Sequence, residues 1–285
     1  MKIVAALLGL LVLSFATVFA CSAYRWRTDT VAAVARLLRG SIDEPQMRFS
    51  AADLEGLPAP VARYFRAVLQ DGQLLVRQAR IRQAGQFLVR PEKNIWGPFT
   101  AVQYLTSRPA GFVWDARIRM APGVSVYVRD ALIGESGFML GKALGLFTVV
   151  RLEHTAGITA GALHRYLAEA VWCPTALLPA AGVIWTAVDD STARASLSAG
   201  TVTVTLDFHF GADSLVRSVF TAERQYAKDG RTMPMPWQGR WTEYGERNGV
   251  RVPLAGEVEW LLPEGPQPYW RGRAVEIVYD DQAVR

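Results

Sequence analysis

From residue 74 onward the chain alternates between apolar and polar positions. Phe112, Trp114, Ala116, Ile118 and Met120 fall on one side of an extended segment, with Val113, Asp115, Arg117 and Arg119 on the other. This period of two is the signature of a half-buried strand. Ala121-Pro122-Gly123 breaks the pattern, and Val124, Val126 and Val128 resume it against Ser125, Tyr127 and Arg129, which predicts a hairpin. Segments 132–139 and 146–152 are further strand candidates, with glycines at 134, 137, 141 and 145 as joints. The same alternation returns at 183–188, 194–197, 201–210, 215–226, 237–244, 250–262 and 269–279. Arg247-Asn248-Gly249 lies between two of these runs, and Asn-Gly is a strong hairpin signal. Pro253 predicts an edge or a bulge in the strand that carries it.

Helical spacing interrupts this β pattern in few places. Residues 161–173 place Leu163, Leu167, Ala170 and Val171 on one face and Arg165, Glu169 and Trp172 on another. Pro174 disfavours helical geometry at the residue before it and ends the run. Residues 61–69, opened by Pro58 and Pro60, place Val61, Tyr64, Phe65 and Val68 together. Residues 29–38 form a short helix candidate. The uncharged stretch 3–20, preceded by Lys2 and followed by Arg25 and Arg27, approaches the length of a membrane-spanning helix.

These elements predict a mainly β, α+β fold. A curved antiparallel meander or half-barrel is covered by a helix and preceded by an N-terminal membrane helix. The expected organisation is an anchor or signal segment over 1–27, a helical connector over 28–73, and an antiparallel β domain over 74–285 with an internal helix at 161–173. With Leu163, Leu167 and Val171 turned inward, that helix is the expected lid of the sheet.

Three fates of the N-terminal segment stay open. A retained single-pass anchor is favoured by length and flanks. A cleaved signal peptide fits Lys2 and Ala20, and a lipoprotein signal fits Val18-Phe19-Ala20-Cys21 with Cys21 lipidated. Arg25, Arg27, Arg36 and Arg39 favour a cytoplasmic C-terminal domain by the positive-inside rule, whereas either cleaved form places it outside. The side of the membrane is therefore open.

Hydrophobic residues make up 51% of the 285 positions and charged residues 20%, which excludes wholesale disorder. The net charge of +5 comes from scattered arginines and not from a cluster, so the composition points away from nucleic acid. Familiar catalytic signatures are missing. Gly134-Glu135-Ser136-Gly137-Phe138 departs from a nucleophile elbow at Phe138, and Gly141-Lys142-Ala143 departs from a phosphate loop at Ser136 and Ala143. Asp207 and His209 share a strand face but have no third metal ligand, and His154 and His164 are weaker candidates. No cofactor is implied. Asp189-Asp190 reads as a polar turn before Ser191.

The distinctive material is aromatic. Trp114, Trp172, Trp185, Trp237, Trp241, Trp260 and Trp270 recur with Tyr244 and Tyr269, often beside Arg or Glu. Core packing accounts for most of them, and an apolar wall with few polar anchors would account for the rest. On the second view the ligand-binding candidates are Trp114, Arg165, Glu169, Trp172, Trp237 and Trp270. Arg165 and Glu169, four apart, form either a surface ion pair or the polar mouth of a pocket.

Four stretches carry a resemblance to a bacterial family of unknown function with a membrane-proximal apolar N-terminus. They are Leu57-Pro58-Ala59-Pro60-Val61-Ala62-Arg63-Tyr64, Gly111-Phe112-Val113-Trp114-Asp115-Ala116-Arg117-Ile118, Arg165-Tyr166-Leu167-Ala168-Glu169-Ala170-Val171-Trp172 and Pro268-Tyr269-Trp270-Arg271-Gly272-Arg273. The family transfers no activity. More loosely, the pattern resembles half-barrel lipoprotein carriers, in which a curved sheet and a helix enclose an apolar cavity. The apolar N-terminal segment, the aromatic strands and the missing catalytic signatures point to a membrane-anchored binding protein for an apolar or amphipathic, lipid-like ligand. The alternatives are a hydrolase using carboxylates such as Asp115, Glu169 or Asp189, and a ligand-free envelope-assembly partner acting through a sheet edge.

Overall fold

The structure is a computed structural model that describes residues 2–42, 46–153, 155–228 and 231–280, so His154 lies outside the described residues. The chain opens with α1 (Lys2–Ile42) and α2 (Ala59–Val68). A meander follows: β1 (Gln78–Arg90), β2 (Ile95–Thr106), β3 (Gly111–Ala121), β4 (Val124–Ile133), β5 (Ser136–Ala143) and β6 (Phe147–Glu153). After α3 (Ala156–Glu169) and three short 3-10 turns comes a second meander. It consists of β7 (Ile184–Ala187), β8 (Thr192–Ala199), β9 (Val202–Phe210), β10 (Val216–Lys228), β11 (Arg231–Arg247), β12 (Val250–Leu262) and β13 (Gly265–Tyr279).

Both meanders belong to one antiparallel sheet, curled into a half-barrel. Its order is β6-β5-β4-β3-β2-β1-β13-β12-β11-β10-β9-β8-β7. The first and last strands of the chain meet in the middle, from Ala79 opposite Tyr279 to Phe87 opposite Trp270. The free edges are β6 and β7, and the segment carrying α3 connects them across the inner face.

The predicted alternation sets the two faces of the sheet. Phe112, Trp114, Ala116 and Ile118 join the main core on the side of α3. Val113 packs with Ala131 against Ala33 and Leu37 of α1 on the outer side. The expected lid residues Leu163, Leu167 and Val171 are all buried, as are Val61, Tyr64, Phe65 and Val68 of α2. Asn248 and Gly249 adopt positive φ of 49° and 76°, the tight hairpin that Asn-Gly predicts between β11 and β12.

Several boundaries differ from expectation. α3 starts at Ala156 and not at 161, because Thr155 caps it: the hydroxyl accepts from the Ile158 N–H. The expected strand 132–139 is cut by a turn at Gly134, whose φ of 62° suits glycine, so β4 and β5 are separate strands. β12 is an interior strand despite Pro253. Proline is tolerated there because Pro253 lies beyond Ala255, the first residue of β12 paired with β13.

α1 is one continuous helix of 41 residues, about 60 Å long at 1.5 Å per residue, and it merges the segments 3–20 and 29–38. Its second half docks through Trp26, Thr30, Ala33, Leu37 and Ser41, a stripe at helical spacing. Trp26 Nε1 and Thr30 Oγ1 donate to the two carboxylate oxygens of Asp115, at 2.8 and 3.1 Å. The Arg129 guanidinium lies 4.3 Å from the Trp26 ring centre and donates to the Trp26 carbonyl at 2.7 Å. Ser22 donates to the Gly145 carbonyl in the β5–β6 turn, and Gln78 Nε2 donates to Ser41 Oγ at 2.6 Å. The first half leaves Ile3, Leu7, Leu10, Leu13, Phe15 and Val18 exposed. Among the described residues, no helix is long and apolar enough to cross a membrane.

Candidate functional site

A cavity of about 260 Å³ lies between the inner face of the sheet and the C-terminal half of α3. Trp114, Ile118, Val128, Met139 and Val150 form one part of its wall, and Phe87, Trp237, Trp241, Val258, Tyr269 and Trp270 form another. Asp130, Arg165, Glu169 and Arg224 supply its charges. A smaller hollow of about 40 Å³, beside Met47 and Leu75, has room for only a few waters.

Glycine makes the aromatic wall possible. Trp241, Gly256, Gly272 and Gly85 stand opposite one another on β11, β12, β13 and β1. The Trp241 ring occupies the space above Gly256, where a Cβ would sit 2.5 Å from two ring carbons. The Trp270 ring occupies the space above Gly272, where a Cβ would lie 2.9 Å from Cε2 and closer still to Cζ2 and Cη2. Gly239 is less crowded: a Cβ there would lie 3.2 Å from Val219 Cγ2 and 3.4 Å from the Trp237 ring. An indole beside a glycine, on its own strand or on the next, can therefore lie along the sheet instead of standing off it.

One pole of the cavity is a buried polar chain. Arg165 Nε donates to Glu169 Oε1 at 2.8 Å, and its Nη1 donates to Asp130 Oδ2 at 2.7 Å. Asp130 is available because it pairs directly across from Trp114 on the inner face of β4. Gln103 Nε2 donates to the other Glu169 oxygen at 2.7 Å, Gln83 Nε2 to Gln103 Oε1 at 3.0 Å, and Trp114 Nε1 to Gln83 Oε1 at 2.8 Å. The Arg165 guanidinium also lies 4.6 Å from the Trp114 ring centre and 5.1 Å from that of Phe112. Burial alone would lower the Arg165 pKa, but Glu169 and Asp130 more than reverse it, so the net shift is upward and the cation is secure.

A second polar group of the cavity is built around Arg224. Its guanidinium lies 4.6 Å from the Trp237 ring centre and 5.3 Å from that of Trp260. Arg224 Nη1 and Trp237 Nε1 both donate to the Tyr269 hydroxyl oxygen, at 2.8 and 3.0 Å. His164 is buried nearby with its Nδ1 2.9 Å from the Ala160 carbonyl. Burial, with Arg224 second, lowers its pKa to about 4, so it is neutral at neutral pH.

Five of the six residues expected at a ligand site therefore line one cavity: Trp114, Arg165, Glu169, Trp237 and Trp270. Trp172 does not. It is fully buried behind the wall, edge-on to Trp241 at 5.0 Å, with Nε1 donating to the Pro253 carbonyl at 3.0 Å. Arg224, Asp130, Gln83 and Gln103 were not singled out by the pattern. They sit at ordinary strand positions, and only the register brings Arg224 and Asp130 to the cavity and the two glutamines to the polar chain beside it. Alternation on the inner face of β4 was the one signal that pointed to Asp130.

The carboxylates considered for hydrolysis do not converge. Asp115 is held by Trp26 and Thr30 on the outer face, Glu169 lies on the inner face, and Asp189 accepts from Ser191 in an exposed turn. Asp207 is engaged by Arg194 through both oxygens, and His209 pairs with Thr192. Among the described residues, no three potential metal ligands cluster.

No curated protein matches the chain in sequence. Three solved structures are similar in fold. A putative outer membrane lipoprotein-sorting protein domain from Vibrio parahaemolyticus is 6% identical, with 72% of this chain and 86% of that one covered at a TM-score of 0.40. A DUF1329 family protein from Desulfovibrio piger is 11% identical, with 78% and 91% covered at 0.40. A beta-barrel-like protein of domain of unknown function DUF1849 from Brucella abortus is 12% identical, with 73% and 99% covered at 0.22. In sequence, residues 47–272 match a family of unknown function (DUF6544), and the protein belongs to that family.

Proposed function

We propose that the protein is a membrane-attached binding protein that holds an apolar or amphipathic, lipid-like molecule between its sheet and α3. The observation that carries this reading is the cavity of about 260 Å³, walled by indole and aliphatic side chains. An apolar cavity of ~150 Å³ is enough to take up benzene, so this one suits an acyl segment. Its polar groups sit at two poles, the usual plan of a small-molecule site in which a few fixed polar groups set orientation. Trp114, Trp237 and Trp270 supply the wall, and the Arg165–Glu169 pair closes one end.

The exposed apolar half of α1 is the membrane attachment in this reading. Its docked half fixes the distance between membrane surface and cavity through Trp26, Asp115 and Arg129. The test is to purify the full chain without detergent, extract it with organic solvent and identify what is released by mass spectrometry. A lipid recovered in near-stoichiometric amount is the expected result. Empty protein that also fails to bind a fluorescent fatty-acid probe would overturn the reading.

A further inference from the structure

Two guanidinium groups line the cavity, and their electrical situations differ. Arg165 faces two carboxylates, Asp130 and Glu169, so its pole carries one net negative charge and already has its hydrogen bonds made. Arg224 makes no ion pair with a carboxylate among the described residues. Its contacts are the Trp237 and Trp260 rings and the Tyr269 hydroxyl. Its Nε is buried with no acceptor, and so is Nε1 of Trp241 on the same cavity wall. The Tyr269 oxygen accepts from both Arg224 and Trp237, which uses both lone pairs and leaves its own hydrogen to give. The unspent hydrogen-bonding capacity of this pole is therefore all donor, beside an uncompensated positive charge. Buried donors of this kind are ordinarily matched.

We propose that the cavity selects an amphiphile with an anionic oxygen head, seated on Arg224. The tail runs past Ile118 and Val128 toward Val150, an exposed cavity residue on the free edge strand β6. The assignment rests on the binding reading above and adds head-group charge and direction to it. Direction follows from the charges: the Asp130–Arg165–Glu169 pole repels an anion, and the Arg224 pole attracts one. This reverses the expectation that Arg165 and Glu169 receive a polar head. A free fatty carboxylate and an anionic lysophospholipid present the same chemistry.

The test uses the full chain, stripped of lipid, in a fluorescent-probe displacement assay with dodecanoate, dodecanol and a lysophosphatidylglycerol. Dodecanoate is expected to bind at least about tenfold more tightly than dodecanol, since the charged hydrogen bonds are open only to the anion. Arg224→Met is expected to remove that preference, and continued displacement of the probe by dodecanol shows that the cavity persists. Arg224→Lys should restore part of the preference. The tighter of dodecanoate and lysophosphatidylglycerol identifies the source of the head. Equal binding of dodecanoate and dodecanol, or a preference that survives in Arg224→Met, overturns the head-group assignment alone. If no amphiphile displaces the probe, the binding reading falls and the assignment falls with it.

Discussion

Replacing Arg165 by Met removes one cation from between two carboxylates while keeping most of the side-chain volume. The side chains of Arg165, Asp130 and Glu169 are only 14%, 10% and 13% exposed, so water cannot easily take over. Two charged hydrogen bonds of 2.8 and 2.7 Å are lost, each worth about 1.5–3 kcal/mol. The methionine stem still packs near Trp114 and Phe112, which limits the cavity cost. Breaking one member of a buried ionic group costs about 3–5 kcal/mol, because the partners remain buried and uncompensated. For a domain of this size, a loss of about 4 kcal/mol lowers the melting temperature by about 8–16 °C. Without the guanidinium, one carboxylate binds a proton in the folded state that it does not bind in the unfolded one. The deficit is then largest at neutral pH and shrinks as the pH falls. Urea unfolding followed by tryptophan fluorescence at pH 7 and pH 5 measures both effects. A loss under about 1 kcal/mol at pH 7, or a deficit independent of pH, would refute the account of a buried, mutually dependent triad.

Other outcomes follow from the same geometry. Gly272→Ala places a methyl group inside the Trp270 ring position, so it should destabilise the fold by about 1–3 kcal/mol and change the near-ultraviolet circular dichroism; an unaltered spectrum would count against the glycine floor. His164 is folded with a pKa of about 4 against an ordinary 6.5, so the unfolded chain takes up the proton first as pH falls. Its contribution is complete above pH 6.5 and falls by about 2 kcal/mol by pH 5, and His164→Gln should flatten that slope in pH-dependent unfolding. Cys173 is buried and its thiol is pushed up to about 12, chiefly by burial, whereas Cys21 is exposed. A thiol reagent should therefore count one cysteine in the native protein and two in denaturant, and two fast-reacting native thiols would contradict the packing.

Alternation on single strands was legible because each face of the sheet has a different partner. Phe112 and Trp114 meet α3, while Val113 meets α1, so the polarity pattern carries both contacts. The lid residues followed from a different signal, the helical spacing of Leu163, Leu167 and Val171. What escaped was set by register between distant strands. Arg224 reads as one arginine among many until Trp237, Trp260 and Tyr269 arrive from three other strands. Arg165 looked available to a ligand because alternation puts Asp130, thirty-five residues earlier, on an inner face but does not say which side chain it meets there. The start of α3 was hidden because Gly157, Ile158 and Thr159 are poor helix formers, and the Thr155 cap outweighs them. Gly256 and Gly272 carry no such signal in the sequence, because only the folded sheet lays an indole over each of them.

The pairing of β1 with β13 in the middle of the sheet has a consequence for synthesis. Phe87 cannot find Trp270 until nearly the whole chain has been made. At about 5–20 residues per second, the inner edge of β1 waits about 10–40 s for its partner. During that interval the first meander is an incomplete sheet with β1 open on one side, and an open strand is a template for pairing with another chain. Arg80 and Arg82 on that strand put charge along the waiting edge, a recognised way of discouraging such pairing. The last strand thus acts as a closing seam, and a truncation that removes residues 265–279 would split the sheet at its centre instead of trimming its rim.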